Sequence, residues 1–278
     1  GKYLLLVHIG SNQQPFRLVL LTASSVVWVP LKSAAATWSK HNLYDLDASK
    51  SANLRNTPFF VSAGDCSLSG KFLADRVKVS LQHLTIFHLL YNQLGRFTIT
   101  DFVFGAAEEI KGCSVQDTYD GVFGMAPTGT HEGVEHTFLD GLFQRSLIDH
   151  REFGLFFREA MEGRNYMVIG KVAREYMPRE AYPVRTLNEP GWAMRVDWMF
   201  LGGIPFNVHG YKAILDTGSV ATYVPPDILD VINSVLKVTQ LDGVFSAVDC
   251  SKVGKLPAFD FQGSNVKLSI FSSQYILQ

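Results

Sequence analysis

The sequence predicts an all-β fold, mainly antiparallel with few short helices, that is duplicated into two lobes. Short apolar or alternating runs bounded by Gly, Pro, Ser or Asn recur along the chain, which is typical of short strands. Strands and helices do not alternate as they do in parallel sheets, so we expect antiparallel sheets. One strand-and-turn pattern occurs twice, and two copies of one unit indicate a duplicated fold.

The repeated pattern is clearest at residues 214–225, where an apolar strand leads into Asp216, a tight Thr-Gly-Ser turn, an aromatic residue and a proline. Residues 19–30 repeat this pattern position for position, but Leu21 stands where the later copy has Asp216. The aligned pairs are Leu21 with Asp216, Ala23 with Gly218, Trp28 with Tyr223 and Pro30 with Pro225. The first copy therefore has no carboxylate at the matching position.

Other segments add to the predicted set of strands. Strands are predicted at residues 3–9, 17–21, 59–61, 71–79, 98–104, 166–169 and 212–215. Helical periodicity predicts helices at 136–145 and 226–236, and the second opens with Pro-Asp, as helices commonly do.

Composition limits the function classes. The chain has 278 residues, 47% of them hydrophobic, which is enough for a large core. A net charge of -1 without a basic cluster gives no reason to expect nucleic acid binding. The most apolar run, 18–31, is interrupted by Thr22 and closed by Pro30, which favours a buried strand over a membrane span. The eight histidines show no metal-binding spacing, so no metal is expected.

An Asp-Thr-Gly-Ser turn after an apolar strand, present in two copies, resembles the pepsin-like aspartic proteases of peptidase family A1. The resemblance implies a bilobal fold in which each lobe contributes one catalytic aspartate. The two aspartates share a proton because neighbouring like charges cannot both ionise easily. One activates water while the other protonates the substrate carbonyl, without any cofactor. Here Asp216 is the remaining member of the dyad, and Leu21 marks the position of the lost one.

Further motifs follow the same order as in that family. Residues 120–125 (DGVFGM) resemble the strand beside the first catalytic loop, and Trp192 resembles the aromatic residue that opens a second-lobe strand. The resemblance implies a first lobe at 1–175 with a flap at 60–79, and a second lobe at 183–278. The family has further strands after the segment that ends this chain, so we expect the second lobe to be incomplete and the sequence to be a fragment or truncated product.

The resemblance also assigns roles to loop residues. The hydroxyls of Thr22 and Thr217 are expected to cross-link the two catalytic loops. Ala23 is expected to add a methyl group where glycine permits a positive φ and close packing. The remaining residues assigned to these loops are Ser24, Gly218 and Ser219. The flap tip is assigned to Ala63, Gly64 and Asp65, with Ala63 where the family has a tyrosine.

Three cysteines leave at least one thiol unpaired within the chain. In the family, a cysteine placed like Cys250 bonds to a later cysteine, and none follows here. A bridge between Cys66 and Cys113 and a chain with three isolated thiols therefore both remain open.

These observations leave three hypotheses for function. The first is an inactive homologue that keeps a peptide-binding cleft. The second is an active endopeptidase that uses Asp216 at acidic pH, and the third is a non-functional gene fragment. The expected partner is a peptide or protein ligand, with no nucleic acid or membrane and a monomeric state. The family implies a secreted or endolysosomal protein, and no signal peptide precedes Tyr3, so we expect a processed or trimmed chain.

Overall fold

The computed structural model describes residues 2–80, 96–113, 118–131, 133–157, 166–172, 174, 177, 183–208, 210–219, 221–241, 245–263 and 266–276. The chain divides into two compact units. Unit 1 comprises Gly1–Ala181 together with Asp216–Gly218, and unit 2 comprises Tyr182–Leu215 and Ser219–Gln278.

Unit 1 is built mainly of β-strands. Its strands are β1 (Leu4–Ile9), β2 (Gln14–Leu21), β3 (Val27–Pro30), β4 (Asn53–Ala63), β5 (Cys66–Ser80), β6 (Arg96–Lys111), β7 (Gly121–Gly124), β8 (Phe153–Phe156) and β9 (Tyr166–Ile169). Its helices are α1 (Ala35–Trp38), which follows a short 3-10 turn at Lys32–Ala34, and α2 (Phe138–Gln144). Helix α2 begins with a capping box formed by Thr137 and Asp140.

Seven of these strands form one sheet in the order β1-β2-β7-β3-β6-β5-β4, and β1 also pairs with β5. The short strand β7 lies between β2 and β3, parallel to β2 and antiparallel to β3. Alternate residues face two different apolar clusters, as strand geometry requires. Leu18 and Leu20 join one cluster, whereas Val19 joins the other. The sheet therefore buries both faces around the loop that follows β2.

Unit 2 contains smaller sheets. Its strands are β10 (Ala193–Arg195), β11 (Trp198–Leu201), β12 (Ile204–Asn207), β13 (Lys212–Ile214), β14 (Thr239–Leu241), β15 (Phe245–Ala247), β16 (Phe259–Gly263) and β17 (Val266–Ile270). Its helices are α3 (Pro226–Leu236), α4 (Ser272–Tyr275) and a 3-10 helix at Cys250–Lys255. Helix α3 buries Ile228, Ile232 and Leu236, spaced four residues apart, against the apolar core of this unit.

The all-β prediction is confirmed, because strands far outnumber helices in the part of the chain that the structure describes. Strand 166–169 and helix 226–236 have the predicted bounds. The predictions for β4, β5 and β6 were too short, since these strands run for 11, 15 and 16 residues. Glycines and polar residues that suggest strand ends in the sequence lie within these strands, because backbone pairing with neighbouring strands continues past them.

The two copies of the repeated pattern have different environments. In unit 1, Trp28 lies in β3 with 6% of its surface exposed, and β3 pairs with β7. In unit 2, Tyr223 is 81% exposed, and the described residues around it form no strand. The sequence pattern is therefore repeated, whereas the packing around its aromatic residue is not.

Candidate active site

The loop that carries Leu21 is shaped by strand β7. Strand β2 ends at Leu21, whose carbonyl accepts a hydrogen bond of 2.9 Å from the Met125 N–H. The Ser24 carbonyl accepts a second bond of 2.9 Å, from the Ala126 N–H. A Cβ atom on Gly124 would lie only 2.4 Å from the Val26 carbonyl oxygen, so this close approach of two backbones requires glycine.

The structure brings Thr22 and Thr217 together. The Thr22 N–H donates to Thr217 Oγ1 at 3.2 Å, and the Thr217 N–H donates to Thr22 Oγ1 at 3.0 Å. Thr217 Oγ1 also donates to the Leu20 carbonyl at 2.6 Å. These contacts join the Asp216–Gly218 turn to the end of β2 within unit 1.

The side chain of Leu21 lies directly against this turn. A Cβ atom built on Gly218 would be 2.2 Å from Leu21 Cδ1, which shows how closely the leucine packs against the turn. The carboxylate of Asp216 accepts a 2.8 Å bond from the Gly218 N–H. Both Leu21 and Asp216 are half-buried. The pair of loops therefore presents one carboxylate beside an isobutyl group that can neither donate nor accept a proton.

Backbone conformation does not distinguish Ala23 from a glycine. The described backbone contains few non-glycine residues with positive φ, and Ala23 is not among them. Gly218, its counterpart in the second copy, does not adopt positive φ either. A Cβ atom at 218 would meet the flexible end of the Leu21 side chain rather than strain the backbone. Alanine at 23 is therefore compatible with the conformation of the loop.

The serines of the two loops have different surroundings. The Ser24 hydroxyl accepts a 3.3 Å bond from the Val26 N–H, which tightens the loop. Ser219 is exposed. Ser25, which received no role from the sequence, donates its N–H to Thr130 Oγ1 at 2.7 Å.

The hairpin of β4 and β5 contains the segment expected to form a flap. It extends beyond the predicted 60–79, and its tip turns at Gly64 and Asp65, where Gly64 has a φ of 58°. Ala63 pairs with Cys66 across the turn, and both Ala63 and Asp65 are exposed. The methyl group of Ala63 offers no hydrogen-bonding group at this turn.

The question of the cysteines is answered by the structure. Cys66 and Cys113 form a disulfide with their Cα atoms 4.3 Å apart, and Cys250 is free and exposed. The chain therefore does not have three isolated thiols.

A buried carboxylate anchors the strand beside the Leu21 loop. Asp120 accepts bonds from the Arg17 N–H at 2.7 Å and from the Asn42 N–H and amide at 2.9 Å each. The Trp38 indole donates to the Asp120 carbonyl at 3.3 Å. The sequence motif at 120–125 does not reveal this role of Asp120, because its partners lie as far as 103 residues away in the chain.

A second buried carboxylate, Asp75, holds the surface loop at 44–51. Burial alone would raise the pKa of Asp75, but hydrogen bonds from Ser51, Tyr44, Ser49 and the Arg76 N–H outweigh it and lower this pKa. Burial and the bond to Asp75 raise the pKa of the Tyr44 hydroxyl. These shifts belong to a scaffold network whose donors all stabilise the ionised carboxylate.

The segment 130–131 connects the Leu21 loop to the flap. Thr130 contacts Ser25, and the Nε2 of the next residue, His131, donates to the Phe60 carbonyl of β4 at 2.7 Å. The His131 ring also stacks on Phe59, with centroids 5.6 Å apart. No sequence signal indicated this connection, since an isolated histidine in a polar loop resembles any surface histidine.

Among the described residues, no group of three or more His, Cys, Asp or Glu side chains is arranged to hold a metal ion. The described helices include none that is long and apolar enough to cross a membrane.

Comparison with known proteins gives a consistent result. The family model for eukaryotic aspartyl protease matches residues 2–278. The chain is 28% identical over 276 residues to cathepsin D of Homo sapiens, covering 95% of this chain and 65% of the relative. It is 25% identical over 276 residues to pepsin A of Rhinolophus ferrumequinum, covering 98% and 67%. The chain thus spans about two thirds of the length of these relatives.

Proposed function

Because the chain belongs to the eukaryotic aspartyl protease family, we propose that it binds peptide segments without hydrolysing them. The observation that carries this proposal is Leu21, which stands where the repeated pattern has Asp216 in its second copy. Its side chain fills the space beside Gly218 with hydrocarbon.

The chemical reason is the loss of one proton-transfer group. Hydrolysis by an aspartyl dyad requires one group to take a proton from water and another to protonate the carbonyl. Asp216 can fill one of these roles, and Leu21 can fill neither. Loss of one general acid or base lowers the rate by about 10²- to 10⁴-fold, and loss of a proton-sharing partner lowers it further.

Features that shape a peptide-binding surface are retained in unit 1. The Thr22–Thr217 contacts keep the two loops together, and strand β7 keeps its place beside them. Strand β4 is at the edge of the described sheet, and an extended peptide can pair with the backbone of such an edge. A protein that lost only one member of the acid–base pair would keep this arrangement.

The proposal extends to compartment and partners. Cathepsin D and vacuolar protease A are among the relatives, so we place the protein in a secretory or endolysosomal compartment. A disulfide is compatible with such an oxidising environment. We propose a monomer whose ligand is a peptide or an unfolded protein segment.

The test is to recover bound peptides and determine whether they are intact. The chain is incubated at acidic pH with a mixture of short synthetic peptides, separated by size exclusion, and the bound fraction is identified by mass spectrometry. We expect intact peptides to be recovered. Fragments with new termini would indicate an active protease, and the absence of any bound peptide would contradict the binding function.

A matched pair of variants locates the binding surface. Leu21→Arg introduces a long charged side chain beside Gly218, and we expect it to reduce the recovery of peptides. Leu229→Arg makes the same change at an exposed position of helix α3 and serves as the control. Thermal unfolding of both variants verifies that they fold. Equal recovery with both would show that peptides bind elsewhere.

A further inference from the structure

The flap tip is tied covalently to another strand. Cys66 is the first residue of β5, directly after the turn at Gly64 and Asp65, and its disulfide partner Cys113 lies two residues beyond the end of β6. The two cysteines are 47 residues apart in sequence. The bond therefore joins the turn of the flap to a distant part of the chain.

The backbone near the disulfide is closely packed. Gly112 has a φ of 68°, and a Cβ atom on it would lie 1.9 Å from the Asp65 carbonyl oxygen. Strand pairing between β5 and β6 reaches Ser67 and Lys111 and goes no further in the described register. Beyond the Ser67–Lys111 pair, the flap tip is joined to the end of β6 by the disulfide and by the close approach of Gly112 to Asp65.

The turn at 62–65 is exposed, whereas Cys66 next to it packs against the apolar cluster that contains Trp38 and Ile110. Ser62, Ala63, Gly64 and Asp65 are all exposed, and the tip is a two-stranded hairpin beyond the point where β6 pairs with it. An isolated two-stranded hairpin is marginally stable in water. A covalent bond at this position therefore has a large effect on how far the tip can move.

We propose that the Cys66–Cys113 disulfide is a redox-controlled tether of the flap. In the oxidised protein the tip is held against the end of β6. In the reduced protein the tip separates from β6 while the rest of the sheet remains folded. The tether acts on the motion of the flap whether or not the protein binds peptides. An effect of the tether on ligand entry rests on the proposed peptide binding.

The reduction step is ordinary thiol–disulfide exchange with a dithiol. A thiolate of the dithiol attacks one sulfur of the bridge, the S–S bond breaks, and the other cysteine leaves as a thiolate that is then protonated. The second thiol of the reagent attacks the mixed disulfide and releases the remaining cysteine. Two electrons and two protons pass to the protein, and the reagent becomes a disulfide. Both cysteines are half-exposed, so the reagent can reach them.

The experiment is hydrogen–deuterium exchange of the full chain, measured by mass spectrometry before and after treatment with dithiothreitol. All proteins in this experiment carry Cys250→Ser, so that the Cys66–Cys113 bridge is the group that responds to the reagent. We expect amides in 62–66 to exchange at least about tenfold faster after reduction, because local opening becomes easier. Peptides from β2 and β7 are expected to be unchanged. The double variant Cys66→Ser, Cys113→Ser is expected to show the fast exchange without reductant.

Three results would overturn the tether. Unchanged exchange in 62–66 would show that noncovalent contacts are sufficient. Uniformly faster exchange throughout unit 1 would show that the bridge stabilises the whole unit. Free thiols at Cys66 and Cys113 in untreated protein would show that the bridge is not formed.

The peptide recovery assay, repeated on the reduced protein, separates the two proposals. If reduction changes flap exchange and also peptide recovery, the tether controls ligand entry. If flap exchange changes and recovery does not, the tether stands and the role of the flap in peptide binding is wrong.

Discussion

Replacing Thr217 by valine tests the contact between the two loops. Valine has nearly the same shape as threonine but lacks the hydroxyl, which accepts from the Thr22 N–H and donates to the Leu20 carbonyl. Thr22 is 5% exposed and Leu20 is 3% exposed, so water has little access to the groups left behind. Each buried group without a partner costs about 1 to 3 kcal/mol, and two of them cost about 2 to 4 kcal/mol when partial rehydration at half-buried Thr217 is allowed for.

The control is Thr217→Ser, which keeps the hydroxyl and loses one methyl group, at a cost of about 1 kcal/mol. Both variants are compared with the parent chain by urea unfolding followed by tryptophan fluorescence, with the free energy of unfolding extrapolated to water. We expect the valine variant to be less stable than the serine variant by about 1 to 3 kcal/mol. Equal stabilities would refute the reasoning, because they would show that the hydroxyl contacts contribute nothing to the folded state.

Substitutions at Gly124, Asp75 and Leu21 test the packing, the buried network and the lost carboxylate in turn. Gly124→Ala is expected to destabilise unit 1 by about 2 to 4 kcal/mol in urea unfolding, because the new methyl group meets the Val26 carbonyl. Asp75→Asn is expected to reduce how much the free energy of unfolding falls on acidification. The folded pKa of Asp75 is depressed, so its contribution is present above the unfolded value of about 3.9 and is lost as pH falls through the folded pKa. Leu21→Asp alone is expected to leave the chain unable to cleave haemoglobin at acidic pH, since Ala63 at the turn of the β4–β5 hairpin still offers no hydroxyl to a substrate.

Each of these has a control or a contradicting result. Gly254→Ala is the matched substitution for Gly124, because a Cβ atom at 254 meets nothing within 4 Å. Equal losses for the two alanine variants would contradict the packing argument. The free energy of unfolding of the parent chain and of the Asp75→Asn variant is measured against pH. Parallel profiles would show that the network does not favour the ionised carboxylate. Cleavage by Leu21→Asp would show that the flap difference has little effect.

Local sequence patterns predicted the elements that depend on neighbouring residues. The apolar spacing of Ile228, Ile232 and Leu236 and the opening Pro-Asp were enough for helix α3. The repeated turn identified Leu21 and Asp216 as counterparts, and the structure places the side chain of Leu21 against the turn that follows Asp216. The division into lobes at 175 and 183 stays a prediction.

Features that depend on distant residues could not be predicted. The bonds to Asp120 come from Arg17 and Asn42, and no spacing in the sequence relates them. The Cys66–Cys113 bridge depends on where β5 and β6 place their ends, so sequence reasoning could only leave it open. Backbone conformation neither explains glycine at 218 nor excludes alanine at 23, because neither residue has a positive φ.

We propose that Leu21 removes the acid–base chemistry while the scaffold remains. The most direct measurement is proteolysis of haemoglobin or casein by the purified chain between about pH 2 and 5, the range in which an aspartyl dyad operates, with and without pepstatin. An inactive homologue predicts no new peptides by mass spectrometry beyond those of a control without protein. Cleavage in this pH range that pepstatin suppresses would contradict the account.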